Sequence, residues 1–269
     1  MEKLNQKNIQ RDLNLGDQEF NIELFDSISS TNAVAKNNLN AQPNKLHLVA
    51  TNHQTAGKGR RGKSFYSALD HGLYFTLAFQ PNTKKIDNIP LYTILAAATL
   101  VEVLNQYLEE SLAIKWVNDI FYKGRKVSGI LSETTVYGGM EGVPGVVVGI
   151  GINLAGDLSQ TEKEVQAVAG TLFGQNPPKT FNQNDFLNIF IQTFYTYHKT
   201  FEQKSFMPIY EKHLLGIGKK ITYTHQNMKQ EGIIQGIDAE GHLLVKKPDQ
   251  SIETLYGQAV HFGSRQFTK

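Results

Sequence analysis

In the stretch Gln54-Thr-Ala-Gly57-Lys58-Gly59-Arg60-Arg61-Gly62-Lys63, three glycines are interleaved with four cations. The glycines satisfy G-x-G-x-x-G, a spacing that binds dinucleotides where a strand enters the loop and a helix leaves it. Residues 46–50 before the loop are strand-like, but residues 72–79 after it are aromatic and β-prone and precede Pro81. A second strand is therefore predicted where a Rossmann domain needs a helix, and this excludes that fold.

The same loop predicts an anion-binding site. Glycine lets the backbone approach a ligand and turn its N–H groups inward, while arginine and lysine neutralise phosphate or carboxylate charge. The structural alternative is a solvated basic hairpin loop. We favour the binding site, because a loop with three glycines among its cations has little order without a ligand.

Composition indicates a globular protein without a polybasic surface. The chain has 269 residues, a hydrophobic fraction of 40%, no cysteine and a formal net charge of +2. It can bury one large domain and a small one. The lack of cysteine excludes disulfides, thiolate metal sites and cysteine nucleophiles. No signal-peptide core and no run of ~20 apolar residues is present, so we expect a soluble cytoplasmic protein.

Hydrophobic patterns separate a polar N-terminal extension from the folded part. Residues 1–18 lack a strong period, whereas residues 20–25 alternate like a strand. Ser29-Ser-Thr-Asn32 then supplies capping side chains for a short helix, and capping alone would explain its hydroxyls. Longer helices are predicted from Pro90 and over residues 185–203, the second with an aromatic stripe that we interpret as packing.

Strand-like runs dominate the rest of the chain. A largely antiparallel sheet is predicted from runs at residues 113–122, 127–136 and 146–154. A small β-barrel-like module is predicted from the short strands at residues 220–223, 232–237, 242–246 and 252–260. Because strands and helices are segregated rather than alternating, the fold class is α+β.

Three further motifs are Lys115-Trp-Val-Asn-Asp119, Arg125-Lys-Val-Ser-Gly-Ile-Leu-Ser-Glu133 and Gly149-Ile-Gly-Ile-Asn-Leu154. With Ser30-Thr-Asn32 and the basic loop, they resemble the biotin protein ligase family in order and spacing, from about residue 20 to the C-terminus. The resemblance implies a catalytic domain over residues 19–215 with a class II aminoacyl-tRNA synthetase-like fold. An SH3-like C-terminal domain over residues 216–269 and an extension over residues 1–18 complete the chain.

The resemblance also implies the chemistry. Such ligases join biotin to ATP, with Mg²⁺, to form biotinyl-5′-AMP and pyrophosphate, and then transfer biotin to a lysine of a biotin carboxyl carrier domain. The biotin carboxylate must approach the α-phosphate, so cations are needed where the two anions meet. The resemblance assigns that catalytic role to Lys126, Arg60 and Lys115. Without the family match, Lys126 would be a solvated turn lysine.

The resemblance also implies which residues contact biotin and which contact the nucleotide. The ureido ring of biotin offers N–H donors and a carbonyl, which suits hydroxyls and amides. The biotin set is Ser30, Thr31, Asn32, Gln54, Gly57, Lys58, Gly59, Lys126 and Gly129. The nucleotide set is Arg60, Arg61, Lys63, Phe65, Asn118, Asp119 and Asn153, with Asp119 also the candidate Mg²⁺ ligand. Asn118 and Asp119 could also be a turn pair that binds no ligand. Trp116 could form a wall of the pocket or pack in the core.

Three positions depart from the family pattern. Lys58 stands where arginine is usual, which keeps the charge but loses bidentate geometry. Val117 replaces a proline, and Phe65 stands where tryptophan often covers the adenine, so stacking remains available.

Other functions fit less well. Lipoate protein ligase shares the fold and the acyl-adenylate chemistry, but the arginine-rich loop and the C-terminal module favour biotin. A nucleic-acid-binding module would use the basic loop, and the low net charge argues against it. The eight histidines form no metal-ligand spacing, and no G-x-S-x-G elbow is present. Only 29 residues precede Ser30, too few for a winged helix domain, so a monofunctional ligase with no DNA or membrane partner is expected.

Overall fold

The computed structural model describes residues 2–62, 71–83, 88–137, 143–159, 161–226, 228–257 and 260–268. Within these ranges the chain forms a large mixed sheet with helices on both faces and a separate, smaller antiparallel sheet. The α+β class and the mainly antiparallel sheet are confirmed.

The large sheet has seven described strands in the order β1-β2-β3-β7-β6-β5-β4. They are β1 (Phe20–Phe25), β2 (Leu46–Thr51), β3 (His71–Phe79), β4 (Ala113–Lys115), β5 (Asp119–Tyr122), β6 (Arg125–Tyr137) and β7 (Val143–Ala155). β1 and β2 are parallel, and the other described pairings are antiparallel. Thr51 at the end of β2 lies opposite Tyr74 of β3, so the basic loop joins two strands, as predicted, and these strands pair antiparallel.

The prediction of one continuous strand over residues 113–122 is wrong. The chain reverses after Lys115, and β4 pairs antiparallel with β5 so that Lys115 lies opposite Asp119. Apolar residues on both sides of the reversal hide it from a pattern search. The predicted turn at Lys123 and Gly124 is confirmed, since both residues have positive φ angles. The turn predicted at Gly138 and Gly139 lies outside the described residues.

Helices cover both faces of the large sheet. They are α1 (Gln6–Gln10), α2 (Thr31–Ala41), α3 (Leu91–Leu104), α4 (Lys163–Gln166), α5 (Gln183–Lys199) and α6 (Met207–Lys212). On one face, α2 packs Ala35 and Leu39 against Val49, Ala78 and Val147. On the other, α3 lies between the sheet, α5 and α6, and is buried on almost all sides. One sheet face is therefore thickly covered, while α2 leaves part of the opposite face open.

The aromatic stripe of α5 is packing, as predicted. Phe190 lies edge-on to Phe75 of β3, with ring centroids 5.1 Å apart, and next to Phe194 in the same stripe. Phe194 in turn lies 5.3 Å from Phe79. All four rings are nearly or fully buried. Edge-to-face contacts of this kind add roughly 0.5–1.5 kcal/mol each to the area that the rings bury.

The N-terminal residues dock on α5. Ile9 of α1 is fully buried, and Asn188 Nδ2 donates to the carbonyls of Ile9 and Arg11 at 2.8 and 2.7 Å. Asn5 N donates to Asn184 Oδ1 at 2.8 Å. The polar sequence of the extension thus anchors it through amide side chains of α5. No helix among the described residues has the length and apolar character needed to cross a membrane.

The C-terminal sheet has five described strands in the order β11-β10-β9-β8-β12, all paired antiparallel. They are β8 (Lys220–His225), β9 (Met228–Ile237), β10 (Leu243–Lys246), β11 (Ile252–Leu255) and β12 (Val260–His261). The turn before β10 packs on α3: a Cβ at Gly241 would lie 2.1 Å from Ile94 Cδ1. Glycine is required there both for this close approach and for its φ of +79°.

Candidate functional site

A cleft of about 360 Å³ opens beside the N-terminus of α2, on the sheet face that α2 covers only in part. Twelve of the predicted site residues line it: Ser30, Thr31, Asn32, Gln54, Lys58, Gly59, Arg60, Lys115, Asn118, Asp119, Lys126 and Gly129. They come from α2, the basic loop, the turn between β4 and β5, and β6. Residues distant in sequence are therefore brought to one site.

One end of the cleft carries uncharged hydrogen-bonding groups. Gln54 Oε1 accepts from the backbone N–H of Thr31 at 2.9 Å and lies 3.1 Å from the Thr31 hydroxyl. A parallel bridge between Ile28 and Gln54 holds the loop beside α2. The N-cap residue Ser30 makes no side-chain capping hydrogen bond, so capping does not explain its hydroxyl. We call Ser30, Thr31 and Gln54 the neutral end of the cleft.

Glycines form the cleft floor. Gly129 of β6 and Gly151 of β7 lie opposite each other in the sheet, as do Leu131 and Gly149. A Cβ at Gly149 would lie 1.9 Å from Asn32 Oδ1, so a side chain there would displace Asn32 from its place in α2. Glycine at such positions leaves room for a ligand or a neighbouring side chain against the strand backbone.

The other end of the cleft contains a buried charge cluster. Asp119 Oδ1 lies 2.6 Å from Lys126 Nζ, and Asp119 Oδ2 lies 3.5 Å from Lys115 Nζ. Antiparallel pairing of β4 with β5 places Lys115 beside Asp119, and a bulge where β6 pairs with β5 brings Lys126 to the same carboxylate. The side chain of Lys126 is 27% exposed and that of Lys115 only 9%. Lys126 is therefore the lysine more open to a ligand.

Burial and charge act in opposite directions on this cluster. Burial alone would raise the pKa of Asp119, but Lys126 and Lys115 outweigh it and hold that pKa below its ordinary value. Burial lowers the pKa of the Lys115 ammonium, and Asp119 opposes that shift. The cluster has two lysines for one carboxylate, which leaves an excess of positive charge when all three are ionised. We call this end of the cleft the cationic end; it consists of Lys115, Asp119, Lys126 and Arg60.

Arg60 joins the basic loop to two other segments. Its Nη1 donates to Asn118 Oδ1 at 3.0 Å, and its Nη2 donates to the backbone carbonyl of Gly257 in the C-terminal sheet region. Asn118 Nδ2 donates in turn to Ile130 O at 2.9 Å, which fixes the orientation of the amide. Arg60 and Asn118, which both belong to the predicted nucleotide set, are thus in direct contact.

The C-terminal module supplies cleft residues that the sequence interpretation missed. Val260, Phe262, Gly263 and Ser264 line the cleft. Lys115 Nζ lies 4.8 Å from the centre of the Phe262 ring, within the range of a cation–π contact. Ser264 Oγ lies 3.5 Å from Asp119 Oδ2. No local motif marks these residues, because their position depends on how the module packs against the large sheet.

Trp116 both lines the cleft and packs against the C-terminal module. It lines the cleft, lies parallel to the Phe262 ring with centroids 6.2 Å apart, and donates from Nε1 to Gly241 O at 2.9 Å. The peptide between Trp116 and Val117 is cis. Tyr210 Oη donates to Val117 O at 3.1 Å from the opposite side. The turn that carries Asn118 and Asp119 is therefore held by α6 and by the C-terminal module.

Some predicted residues are not in the cleft lining. Gly57 is buried in the loop just before Lys58. Asn153 is buried, donates from Nδ2 to Gly170 O at 3.1 Å, and has no partner for Oδ1 among the described residues. Lys63 and Phe65, and the side chain of Arg61, lie outside the described part of the structure. Their assignments to the nucleotide stay predictions.

A resident Mg²⁺ site does not fit the residues present. Both carboxylate oxygens of Asp119 already contact lysine ammonium groups, which compete with a cation for the same lone pairs. Among the described residues, no group of three histidine, aspartate or glutamate side chains could hold a metal ion. The prediction that Asp119 binds Mg²⁺ gains no support from this geometry.

Comparison with known proteins identifies the family. Residues 24–153 match the biotin/lipoate A/B protein ligase family, and residues 216–257 match the biotin protein ligase C-terminal domain. The chain is 30% identical over 205 residues to the biotin--[acetyl-CoA-carboxylase] ligase of Paracoccus denitrificans, covering 74% of this chain and 84% of that protein. It is 28% identical over 241 residues to the bifunctional ligase/repressor BirA of Bacillus subtilis, covering 88% and 73%.

The fold is shared with solved structures. Biotin protein ligase from Aquifex aeolicus in complex with biotin and ATP superposes with a TM-score of 0.70, at 22% identity, over 90% of this chain and 99% of that one. The biotin protein ligase of Leishmania major in complex with biotin gives a TM-score of 0.54 at 21% identity, over 88% and 98%. The Paracoccus relative and the two family matches show that the chain belongs to the biotin/lipoate A/B protein ligase family, and to the biotin protein ligases within it.

Proposed function

We infer that this protein is an ATP-dependent biotin protein ligase. It forms biotinyl-5′-AMP and pyrophosphate and then transfers the biotinyl group to a lysine of a biotin carboxyl carrier domain. The observation that carries this inference is a single cleft with uncharged hydrogen-bonding groups at one end and Lys115, Lys126 and Arg60 at the other. Biotin has the matching polarity, with a neutral ureido ring and a carboxylate at opposite ends.

The dimensions of the cleft support this orientation. Asn32, next to the neutral end, contacts the Leu131 carbonyl of β6, and Lys126 lies at the start of the same strand. At about 3.3 Å per residue, the five residue steps of β6 from Leu131 to Lys126 span roughly 16 Å. The glycine floor lies between the two ends, where an extended acyl chain needs space. Biotin would bind with its ureido ring beside Thr31 and its carboxylate toward Lys126.

Adenylation is an electrostatic problem at the cationic end. A carboxylate oxygen attacks the α-phosphorus, and the bond to the bridging oxygen breaks as pyrophosphate leaves. Two unit charges of like sign 4 Å apart repel by about 4 kcal/mol at an effective dielectric constant near 20. Lys126 and Arg60 would offset this repulsion, and Asp119 would hold Lys126 in place. No general base is needed, because the attacking carboxylate is already ionised.

In the second step, the ε-amine of the acceptor lysine attacks the acyl carbon and AMP departs. The attacking amine releases a proton to solvent, and the phosphate of AMP takes the electron pair of the broken bond. Arg60 and Lys126 would stabilise the leaving phosphate through charge-assisted hydrogen bonds. Retention of the adenylate until the acceptor arrives would depend on the same contacts, with Arg60 bridging the basic loop, Asn118 and Gly257.

Several finer assignments belong to the same proposal. Mg²⁺ would enter bound to the phosphates of ATP, as part of the substrate. Asn118 and Asn153 would face the nucleotide, with Arg61, Lys63 and Phe65 beside it. The large sheet would follow the class II aminoacyl-tRNA synthetase pattern over residues 19–215, after the extension of residues 1–18. The C-terminal sheet would be SH3-like over residues 216–269.

The test is pyrophosphate release from MgATP without an acceptor protein, with biotin or with lipoate as the acid. We expect release with biotin that stops at about one equivalent per protein, because the adenylate stays bound. Release with lipoate alone would replace the inference by lipoate ligation. Release with neither acid would overturn the proposed enzyme activity.

A further inference from the structure

Thr76 lies behind the neutral end of the cleft and has no assigned role. It is a fully buried residue of β3 and does not line the cleft. Its hydroxyl oxygen lies 2.8 Å from the Thr31 hydroxyl oxygen and 2.7 Å from Asn32 Oδ1. Thr31 and Asn32 both do line the cleft. A buried hydroxyl thus links the first two residues of α2 from below.

Asn32 has a fixed orientation. Its Nδ2 donates to Glu133 Oε2 at 2.7 Å and lies 3.4 Å from the Leu131 carbonyl oxygen. Both partners are acceptors, so the amide nitrogen must face them and Oδ1 must face Thr76. Gly149 makes this placement possible, because a Cβ there would lie 1.9 Å from Asn32 Oδ1. The carboxylate of Glu133 therefore determines which atom of Asn32 meets Thr76.

Counting hydrogens then sets the direction of the remaining bonds. Asn32 Oδ1 can only accept, so the single hydrogen of the Thr76 hydroxyl goes to it. The Thr31 hydroxyl hydrogen then has two acceptors within reach, Thr76 Oγ1 at 2.8 Å and Gln54 Oε1 at 3.1 Å, and the shorter contact takes it. With that hydrogen given to Thr76, the Thr31 oxygen can only accept from a ligand. Gln54 Oε1 receives the Thr31 backbone N–H and, with the Thr31 hydroxyl hydrogen directed to Thr76, keeps its second lone pair for a ligand.

We propose that Thr76 is a positioning residue for biotin recognition: with Asn32 and Glu133 it draws the Thr31 hydrogen away from the cleft, so that Thr31 accepts a ureido N–H. The neutral end then presents two acceptors, Thr31 Oγ1 and Gln54 Oε1, to a ligand that carries two N–H donors. The dithiolane ring of lipoate has no such donor, and the acceptors would lose their hydrogen bonds with water without replacement. This proposal rests on the proposed biotin ligation.

The test compares Thr76→Val, which keeps the shape and removes the hydroxyl, with Thr76→Ser, which keeps the hydroxyl. The matched control is Thr99→Val in α3, since Thr99 is equally buried and its hydroxyl has no partner among the described residues. Calorimetry gives the Kd of biotin, and pyrophosphate release with a biotin carboxyl carrier domain present, so that the enzyme turns over, gives KM for biotin, KM for ATP and kcat. A fourth variant, Glu133→Ala, removes the anchor of Asn32 at an exposed position.

We expect Thr76→Val to raise the Kd and KM for biotin roughly tenfold, the effect of one lost hydrogen bond with an unsatisfied partner. KM for ATP should stay within about twofold, and Thr76→Ser and Thr99→Val should match the wild type. Glu133→Ala should weaken biotin in the same direction by a smaller factor. Rescue by serine excludes a packing role of the methyl group, which serine lacks, and a rise in KM for biotin without one in KM for ATP is the result that a general structural role would not give.

Three results would overturn the proposal. Unchanged biotin affinity in Thr76→Val would remove Thr76 from recognition. Equal losses in Thr76→Val and Thr76→Ser, or equal rises in KM for biotin and ATP, would indicate a packing defect. These outcomes are distinct from failure of the proposed function, in which the wild type itself neither binds biotin nor releases pyrophosphate with it.

Discussion

The two ends of the cleft are built in different ways. The neutral end consists of residues at the start of α2 and of the loop bridged to it, backed by Thr76 in a central strand. The cationic end is assembled from the turn between β4 and β5, the start of β6, the basic loop and the C-terminal module. The first is a fixed hydrogen-bonding surface within the sheet domain. The second depends on tertiary contacts among several segments.

The difference indicates that the neutral end recognises the ligand and the cationic end serves the reaction. Neutral hydrogen-bonding groups on rigid elements suit recognition of a small ring, because their geometry need not change between ligand states. Charges that stabilise a reacting phosphate work best when they are held in place before the reaction and shielded from water. Asp119 provides that hold for two lysines at once. Substitutions at the two ends should therefore alter different steps.

Lys126→Ala should give the largest effect. Loss of the more exposed lysine should slow adenylate formation by roughly 10²–10³-fold, because the charge opposing carboxylate–phosphate repulsion is gone. Biotin affinity should fall by only a few-fold, since the neutral end is intact. Single-turnover formation of biotinyl-AMP measures the first effect and calorimetry the second. Lys126→Arg serves as the charge-retaining control, and a normal rate in Lys126→Ala would remove this residue from the reaction.

Asp119→Asn should weaken the fold as well as the reaction. It leaves Lys115, which is almost buried, without its carboxylate partner, at a cost of about 3 kcal/mol in the free energy of unfolding. The pKa of Asp119 is lowered in the folded protein from its ordinary 3.8. The contribution of Asp119 to the free energy of unfolding is therefore complete above its ordinary pKa. It is lost as the pH falls through the lower pKa that Asp119 has in the folded protein.

Urea unfolding of wild type and Asp119→Asn at several pH values measures that contribution. The difference between the two proteins should be constant near neutrality and shrink on acidification below about pH 4. A difference that grew on acidification would contradict the assigned sign. No difference at neutral pH would show that Asp119 does not stabilise the lysine pair.

Arg60→Gly should affect retention of the adenylate more than its formation. The variant loses the contacts to Asn118 and Gly257, so biotinyl-AMP should dissociate roughly tenfold faster or more. Released adenylate should label lysines of an unrelated protein in the same solution. Arg60→Lys keeps the charge but not the two-sided contact and should be intermediate. Unchanged selectivity for the carrier domain would count against the retention role.

Gly149→Ala should act at the neutral end and give the smallest effect. The added methyl group would displace Asn32, and biotin Kd should rise by roughly fivefold to tenfold through the loss of ordered hydrogen bonds. The rate of adenylate formation at saturating biotin should be close to that of the wild type. A slower rate with unchanged Kd would mean that the glycine floor serves the cationic end instead.

Much of the fold was predictable from local patterns. Strand-like and aromatic residues identified β2 and β3 on either side of the basic loop, and the stripe of Phe190 and Phe194 marked the packed face of α5. The reversal after Lys115 was missed, because Trp116 and Val117 extend the apolar run and only the Asn118-Asp119 pair, without a glycine or proline, marks the turn. Local periodicity detects elements well, but it detects a turn only where the turn has its own sequence signal.

The site was predictable where family motifs carry it. The motif residues Lys126, Asn118 and Thr31 all line one cleft, and their roles toward the ligands stay predictions. Phe262 and Ser264 were missed, since their place depends on the docking of the C-terminal module. Thr76 was missed for a similar reason: strand alternation places it on the face opposite Phe75 and Leu77, but does not show that two hydroxyls meet behind the cleft. Contacts across the fold are outside the reach of spacing arguments.

The most direct test of the two-ended cleft compares Lys126→Ala with Thr76→Val in the same two measurements. One is the Kd of biotin without nucleotide, and the other is the single-turnover rate of biotinyl-AMP formation at saturating biotin and MgATP. We predict that Lys126→Ala loses the rate and largely keeps the affinity, whereas Thr76→Val loses affinity and keeps the rate. Losses of affinity and rate in the same proportion in both variants would contradict the division of the cleft.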